Sequence, residues 1–190
     1  MGAYTDISSN KIEDKPGYKS RTIALVGLMG AGKSTVGRRL AEVMRRDFYD
    51  SDDEIEKAAG LSISDIFALH GEAEFRRGEK RVLARLLAEP PHVLATGGGA
   101  YLDPETRELM REKAITVWLN ADLETLWERV SRRTHRPLLR QADPRGVLER
   151  LHEERAPIYS EADLVVDSVR GPHARTVERI LEAVKRWQPA

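Results

Sequence analysis

The run Gly27-Leu28-Met29-Gly30-Ala31-Gly32-Lys33-Ser34 satisfies the pattern G-x-x-x-x-G-K-[ST]. In that pattern glycine-rich backbone N–H groups wrap a chain of phosphates, and the helix that follows turns its positive end toward them. The flanks agree: Ile23-Ala24-Leu25-Val26 is a short apolar run with strand character, and a helix-like segment begins directly after the loop. Lys33 is then expected to reach the β- and γ-phosphates of a nucleotide and Ser34 to ligate Mg²⁺, while Gly30 and Gly32 let the backbone come close. Gly30, Ala31, Gly32, Lys33, Ser34 and Thr35 form the expected cradle.

Candidates for the receiving side are scattered. Asp50 and Asp52 follow Phe48-Tyr49; if that strand continues through them, both carboxylates face one side. One would hold Mg²⁺ through water and the other would accept the proton of an attacking hydroxyl. Asp52-Asp53-Glu54 also suits a helix start, with Asp53 the better cap of the two aspartates. Glu79 stands three residues beyond Arg76, where it can fix that guanidinium for bidentate binding of a carboxylate. Arg76 and Arg77 read equally as an ordinary solvated pair. Gly97-Gly98-Gly99, at the end of the apolar stretch His92 to Thr96, imply close backbone approach.

The most basic stretch lies between Arg129 and Arg145 and holds Arg132, Arg133, His135, Arg136 and Arg140. An RNA-binding patch is disfavoured, because no aromatic residues interleave and the chain carries no net charge. A loop that closes over a nucleotide, excludes water and presents one guanidinium to the transferring phosphoryl group fits better. Arg155, just before Ala156-Pro157-Ile158-Tyr159, reads by itself as a cation at a helix C-terminus.

These residues need a scaffold, and the apolar periodicity supplies one. Val36, Leu40, Val43 and Met44 mark the inner stripe of the helix after the loop, and Phe48-Tyr49-Asp50 a second strand. Two short helices, Asp52 to Ala59 and Ser62 to Leu69, break at Gly60, and a longer one runs from Glu72 to about Ala88. His92 to Thr96 and Ile115 to Leu119 are strands three and four, with a helix from Pro104 to Arg111 between them. The stripe Leu123, Leu126, Trp127 and Val130 marks the next helix; another starts at Asp143-Pro144 and is expected to end near Arg155, stopped by Pro157. Leu164-Val165-Val166 is the fifth strand, and Val177, Ile180, Leu181 and Val184 define the last helix. Strands alternating with helices imply an α/β fold with a parallel sheet covered on both faces. In such sheets ligands bind beyond the carboxyl ends of the strands, where the loop, Asp50 to Asp52 and Thr96 to Gly99 all fall.

The 190 residues suit one domain, and Lys plus Arg balance Asp plus Glu at 31 each. Anionic ligands must then be held by local arginines and not by an overall field. The absence of cysteine rules out disulfides, thiolate metal sites and cysteine nucleophiles, and permits a reducing compartment. No apolar run approaches the roughly 20 residues of a membrane span. Residues 1–20, rich in Asp, Lys, Ser, Gly and Pro, read as a flexible polar extension ahead of a domain spanning 21–188.

Taken together, the motifs resemble the shikimate kinase family, small P-loop kinases related in fold to nucleoside monophosphate kinases. The resemblance runs from about Thr22 to Val184. It is carried by the loop, Phe48-Tyr49-Asp50-Ser51-Asp52 with Ile55-Glu56, Glu74-Phe75-Arg76-Arg77 with Glu79, Thr96-Gly97-Gly98-Gly99-Ala100, Arg136-Pro137-Leu138-Leu139 and Arg155-Ala156-Pro157-Ile158-Tyr159, in the family's order and spacing. It implies a three-layer fold, a five-stranded sheet of order 2-3-1-4-5 and a mobile lid over about 131–143. It also implies transfer of the γ-phosphoryl group of ATP to the 3-hydroxyl of shikimate, a step toward chorismate and the aromatic amino acids. By the same resemblance Asp52 binds the hydroxyl and acts as base, Arg76 and Arg155 hold the substrate carboxylate, and backbone N–H groups of Gly97, Gly98 and Gly99 bind ring hydroxyls. Lys33, Ser34 and Asp50 serve the nucleotide and its Mg²⁺, Arg136 meets the phosphates from the lid, and Arg129 and Arg170 lie near adenine. A cytoplasmic monomer acting on small molecules, without nucleic acid or membrane partners, completes the expectation. A kinase of another small hydroxy acid, such as gluconate, would share the fold. A nucleotide-binding regulator without catalysis is opposed by the presence of Lys33, Asp52 and Arg136 together.

Overall fold

The computed structural model describes residues 17–132, 142–168 and 171–188. Five parallel strands form one sheet: β1 Thr22–Val26, β2 Phe48–Asp50, β3 Val93–Ala95, β4 Ala114–Asn120 and β5 Leu164–Asp167. Their order is β2-β3-β1-β4-β5, as the resemblance implied. Helices α1 Lys33–Met44, α2 Ser51–Ala59, α3 Ile63–Leu86, α4 Pro104–Lys113, α5 Leu123–Ser131, α6 Pro144–Tyr159 and α7 His173–Arg186 cover both faces. The centre of the sheet is buried throughout β1 and β3, which is why both read as unbroken apolar runs instead of alternating ones. Among the described residues no helix is long and apolar enough to cross a membrane.

The register sets the site. Asp50 pairs with Ala95, and Ala95 with Leu25, so the carboxyl ends of β2, β3 and β1 stand level and side by side. The phosphate loop, the aspartates and the glycine run leave from those three ends.

Several expectations need correction. Val43 does not join the inner stripe of α1 but is 61% exposed, because it is turned about 100° from Met44 and lies past the arc centred on Leu40. The break expected between Leu69 and Glu72 is present: Gly71, with φ of 77° and ψ of 173°, is not helical, so α3 consists of two helical segments that meet at this kink. Pro157 does not end α6. The missing N–H costs a single bond near the end of the helix, and the Ser160 N–H still donates to the Ala156 carbonyl at 2.9 Å. Arg155 therefore projects from a helix side and is not a terminal cation. Residues 18–20, counted with the flexible extension, form a 3₁₀ turn held to the domain. Arg46 donates to the carbonyls of Tyr18, Lys19 and Arg21 at 3.1, 2.7 and 2.7 Å.

Candidate active site

The loop after β1 is shaped by three glycines in the left-handed region, Gly27, Gly30 and Gly32, with φ of 132°, 85° and 97°. Gly32 caps α1 without a side-chain bond, so the N-terminus of that helix faces the loop with its own N–H groups. Lys33 is buried in the first turn and donates from Nζ to the carbonyls of Gly27 and Leu28 at 2.7 and 3.0 Å, which holds the ammonium across the loop.

At the end of β2 the chain turns sooner than a continued strand would. Asp50 is the N-cap of α2, accepting from the Asp52 N–H at 3.1 Å, and neither Asp52 nor Asp53 caps the helix. Asp52 is thus in the first helical turn. The carboxylate run Asp52-Asp53-Glu54 matches the positive end of the helix, which is the physical reason the helix begins at Ser51. Burial, then Asp50, Glu79 and Asp53, push the Asp52 carboxyl up to about 6, against the pull of Lys33. Such a value leaves it mostly ionised at neutral pH and a better proton acceptor than an ordinary aspartate.

The glycine run packs between these groups and the two arginines. Thr96 anchors it, donating from both N–H and Oγ1 to the Leu25 carbonyl. A Cβ on Gly97 would lie 2.7 Å from Oδ1 of Asp52 and 3.1 Å from Oε1 of Glu79, so only glycine lets both carboxylates close on this point. The Gly97 N–H donates to Ser51 Oγ at 2.9 Å, and it is already engaged, contrary to the expectation that all three glycines offer N–H groups to a substrate. Gly98 faces the loop: a Cβ added there would lie 3.5 Å from Met29 N and 3.8 Å from the Gly27 carbonyl oxygen. On its other side the Gly98 carbonyl accepts from Tyr159 Oη and from Arg155 Nη1.

Arg76 lies against Gly99. Its Nη1 donates to Glu79 Oε2 at 2.7 Å, as the i,i+3 spacing required, and Nη2 to Glu72 at 3.3 Å. Glu79 is 3% exposed, and its Oε1 is a buried oxygen with no hydrogen-bond donor among the described residues. Burial raises its pKa while Arg76 opposes the shift. A Gly99→Ala change would place Cβ 2.6 Å from the guanidinium. Since the clash is with the end of a flexible side chain, the expected result is a displaced arginine at little cost in stability, measured by thermal unfolding.

Arg129 is placed behind the loop, donating from Nη1 to the carbonyls of Gly30 and Ala31 at 3.3 and 3.2 Å. Arg136, Arg170 and residues 133–141 of the lid span lie outside the described residues. The sequence shows Ser51 and Tyr159 only as members of motifs and gives no sign of Ser168; all three bond to the backbone of distant segments, a role that spacing along the chain does not reveal.

The comparison that decides the family is the match of the shikimate kinase family over residues 29–185. The chain belongs to the shikimate kinase family. It is 56% identical over 174 residues to a shikimate kinase of Caulobacter vibrioides, covering 92% of this chain and 87% of that one. It is 58% identical over 168 residues to a shikimate kinase of Paramagnetospirillum magneticum, covering 88% and 86%. The fold superposes with a TM-score of 0.84 on a shikimate kinase from Acinetobacter baumannii in complex with shikimate, at 40% identity and covering 88% and 94%. The chain is accordingly an ATP-dependent phosphotransferase of the shikimate pathway.

Proposed function

We propose that the γ-phosphoryl group of ATP passes directly to the 3-hydroxyl of shikimate across the crevice where Gly98 meets the phosphate loop, giving shikimate 3-phosphate and ADP. The observation that carries this reading is the position of Gly98, where an added Cβ would meet Met29 and Gly27 of the loop and whose carbonyl accepts from Arg155 and Tyr159. A triphosphate on the loop and a carboxylic acid on the arginines would then be neighbours.

The roles follow from charge and reach. The backbone from Gly30 to Thr35 and the Lys33 ammonium hold and neutralise the phosphates. Arg76, aimed by Glu79, and Arg155 clamp the substrate carboxylate and so orient the ring. Among the described residues no partner is seen for the N–H groups of Gly98 and Gly99, and these two serve the ring hydroxyls. Asp52 accepts a hydrogen bond from the 3-hydroxyl and takes its proton as the phosphoryl group transfers. Arg129 borders the adenine end, with Arg170, and Arg136 closes from the lid.

Ser34 and Asp50 would hold Mg²⁺. A hydroxyl and one carboxylate are a thin donor set, which fits a hard cation that keeps several waters and takes phosphate oxygens as its remaining ligands. When bound, Mg²⁺ offsets charge on the β- and γ-phosphates.

The reading extends to a cytoplasmic monomer working on small molecules alone, without nucleic acid or membrane partners. The balance of 31 basic and 31 acidic residues, which provides no overall field for a polyanion, supports only the part of this reading that concerns nucleic acid. Coupled ADP release with ATP and Mg²⁺, run on shikimate and gluconate in parallel, tests the substrate. Turnover of gluconate without turnover of shikimate would reject the assignment.

A further inference from the structure

Ser168 follows β5 by one residue and is 1% exposed, yet the chemistry above makes no use of it. Its N–H donates to the Asn120 carbonyl at 2.6 Å, which fixes its backbone to the end of β4. Its Oγ donates to the Ala31 carbonyl at 2.8 Å, across 137 residues of sequence. The same oxygen accepts from Arg129 Nη1 at 3.1 Å, and that nitrogen also donates to the Ala31 and Gly30 carbonyls.

A trans peptide is planar, and its C=O and N–H point in opposite directions. The carbonyl of Ala31 and the N–H of Gly32 share one such plane. Two donors on that carbonyl therefore turn the Gly32 N–H away from Ser168, toward the space the loop encloses. Gly32 has φ of 97° and caps α1 without help from a side chain, so nothing in its own chemistry restricts the plane. A loop built on glycines owes its orientation to whatever holds it from outside.

We propose that Ser168 is a positioning residue for nucleotide binding: with Arg129 it grips the Ala31 carbonyl and thereby aims the Gly32 N–H at the phosphates. The inference rests on the reading of this loop as the ATP cradle. Because the grip acts on the loop and not on the glycine run or the arginines, it affects one substrate and not the other.

Steady-state kinetics of the full chain test it. Ser168→Ala is expected to raise the KM for ATP and the Kd for ADP roughly 3- to 10-fold, as loss of one buried hydrogen bond predicts. The KM for shikimate stays within about twofold, and hydrogen exchange at the Gly32 amide becomes faster. Ser168→Thr keeps the hydroxyl and is expected to hold the KM for ATP close to the parent value. Should Ser168→Ala not fold, Ser168→Cys, near in size but a weak donor, carries the same measurement. An unchanged KM for ATP, a parallel rise for both substrates, or a threonine variant that behaves like the alanine would overturn the proposal. A parent enzyme without turnover of ATP and shikimate would defeat the assignment of the loop itself, whereas an active parent with an unaffected Ser168→Ala variant defeats only the role of Ser168.

Discussion

Asp52→Asn is expected to lower kcat at pH 7.5 by about two to four orders of magnitude, the range that loss of a general base produces. ATP affinity should change by less than about threefold, since the loop and Lys33 are untouched. The same substitution should make the protein more stable. The Asp52 carboxyl titrates at about 6 in the fold against an ordinary value of 3.8, so between these values the native state binds more protons than the unfolded chain. Stability from this group therefore falls as pH rises through that window and is lowest above it. Asparagine carries no charge to bury, and the gain at pH 7.5 is about 1 to 3 kcal/mol, shrinking toward pH 4. Urea unfolding of parent and variant at pH 7.5 and 4.5, beside nucleotide binding by calorimetry, reads all three effects. For the parent enzyme, kcat/KM should fall about tenfold per pH unit below 6 as the base becomes protonated. Equal loss of ATP binding and turnover, with no gain in stability, would show that Asp52 is structural.

Arg76→Lys is expected to raise the KM for shikimate about 10- to 100-fold while leaving the KM for ATP within about twofold. The guanidinium spends Nη1 on Glu79 and Nη2 on Glu72, and both nitrogens come within 2.6 and 2.7 Å of the point where a Cβ on Gly99 would sit, so its remaining N–H groups are the ones available to a carboxylate. An ammonium is a point charge and cannot serve Glu79 and a bidentate ligand in fixed directions at once. A charge-assisted bond of this kind is worth about 1.5 to 3 kcal/mol, which sets the size of the effect. The split between the two substrates is the informative part. If both KM values rose together, Arg76 would be holding the fold of the crevice and not a ligand.

Both variants act on residues that were visible before any coordinates, and the reasons differ. The phosphate loop is legible because its chemistry is local: strand, glycines, lysine, hydroxyl and helix are contiguous, and their spacing alone forces the geometry. The Arg76–Glu79 pair is legible for the same reason, since i,i+3 positions meet on any helix. Asp50 and Asp52 were only half legible. Strand continuation and helix capping use the same carboxylates, and the outcome depended on where β2 runs out of partner at Ala95. Taken alone, Arg155 reads as a terminal cation because Pro157 looks like a stop, but one missing N–H in the last turn is too small a cost to enforce it.

The sequence by itself determined a parallel α/β sheet, a nucleotide cradle on its first crossover and, through spaced motifs, the family. Apolar periodicity and motif spacing are properties of neighbouring residues, so they survive without a third dimension. Only the tertiary structure decided that the Gly97 N–H is engaged by Ser51, that Glu79 and Asp52 close on the same glycine, and that Ser168 reaches Ala31. Each of these joins segments between 18 and 137 residues apart, and such contacts are set by strand order and register and not by anything the two segments share along the chain.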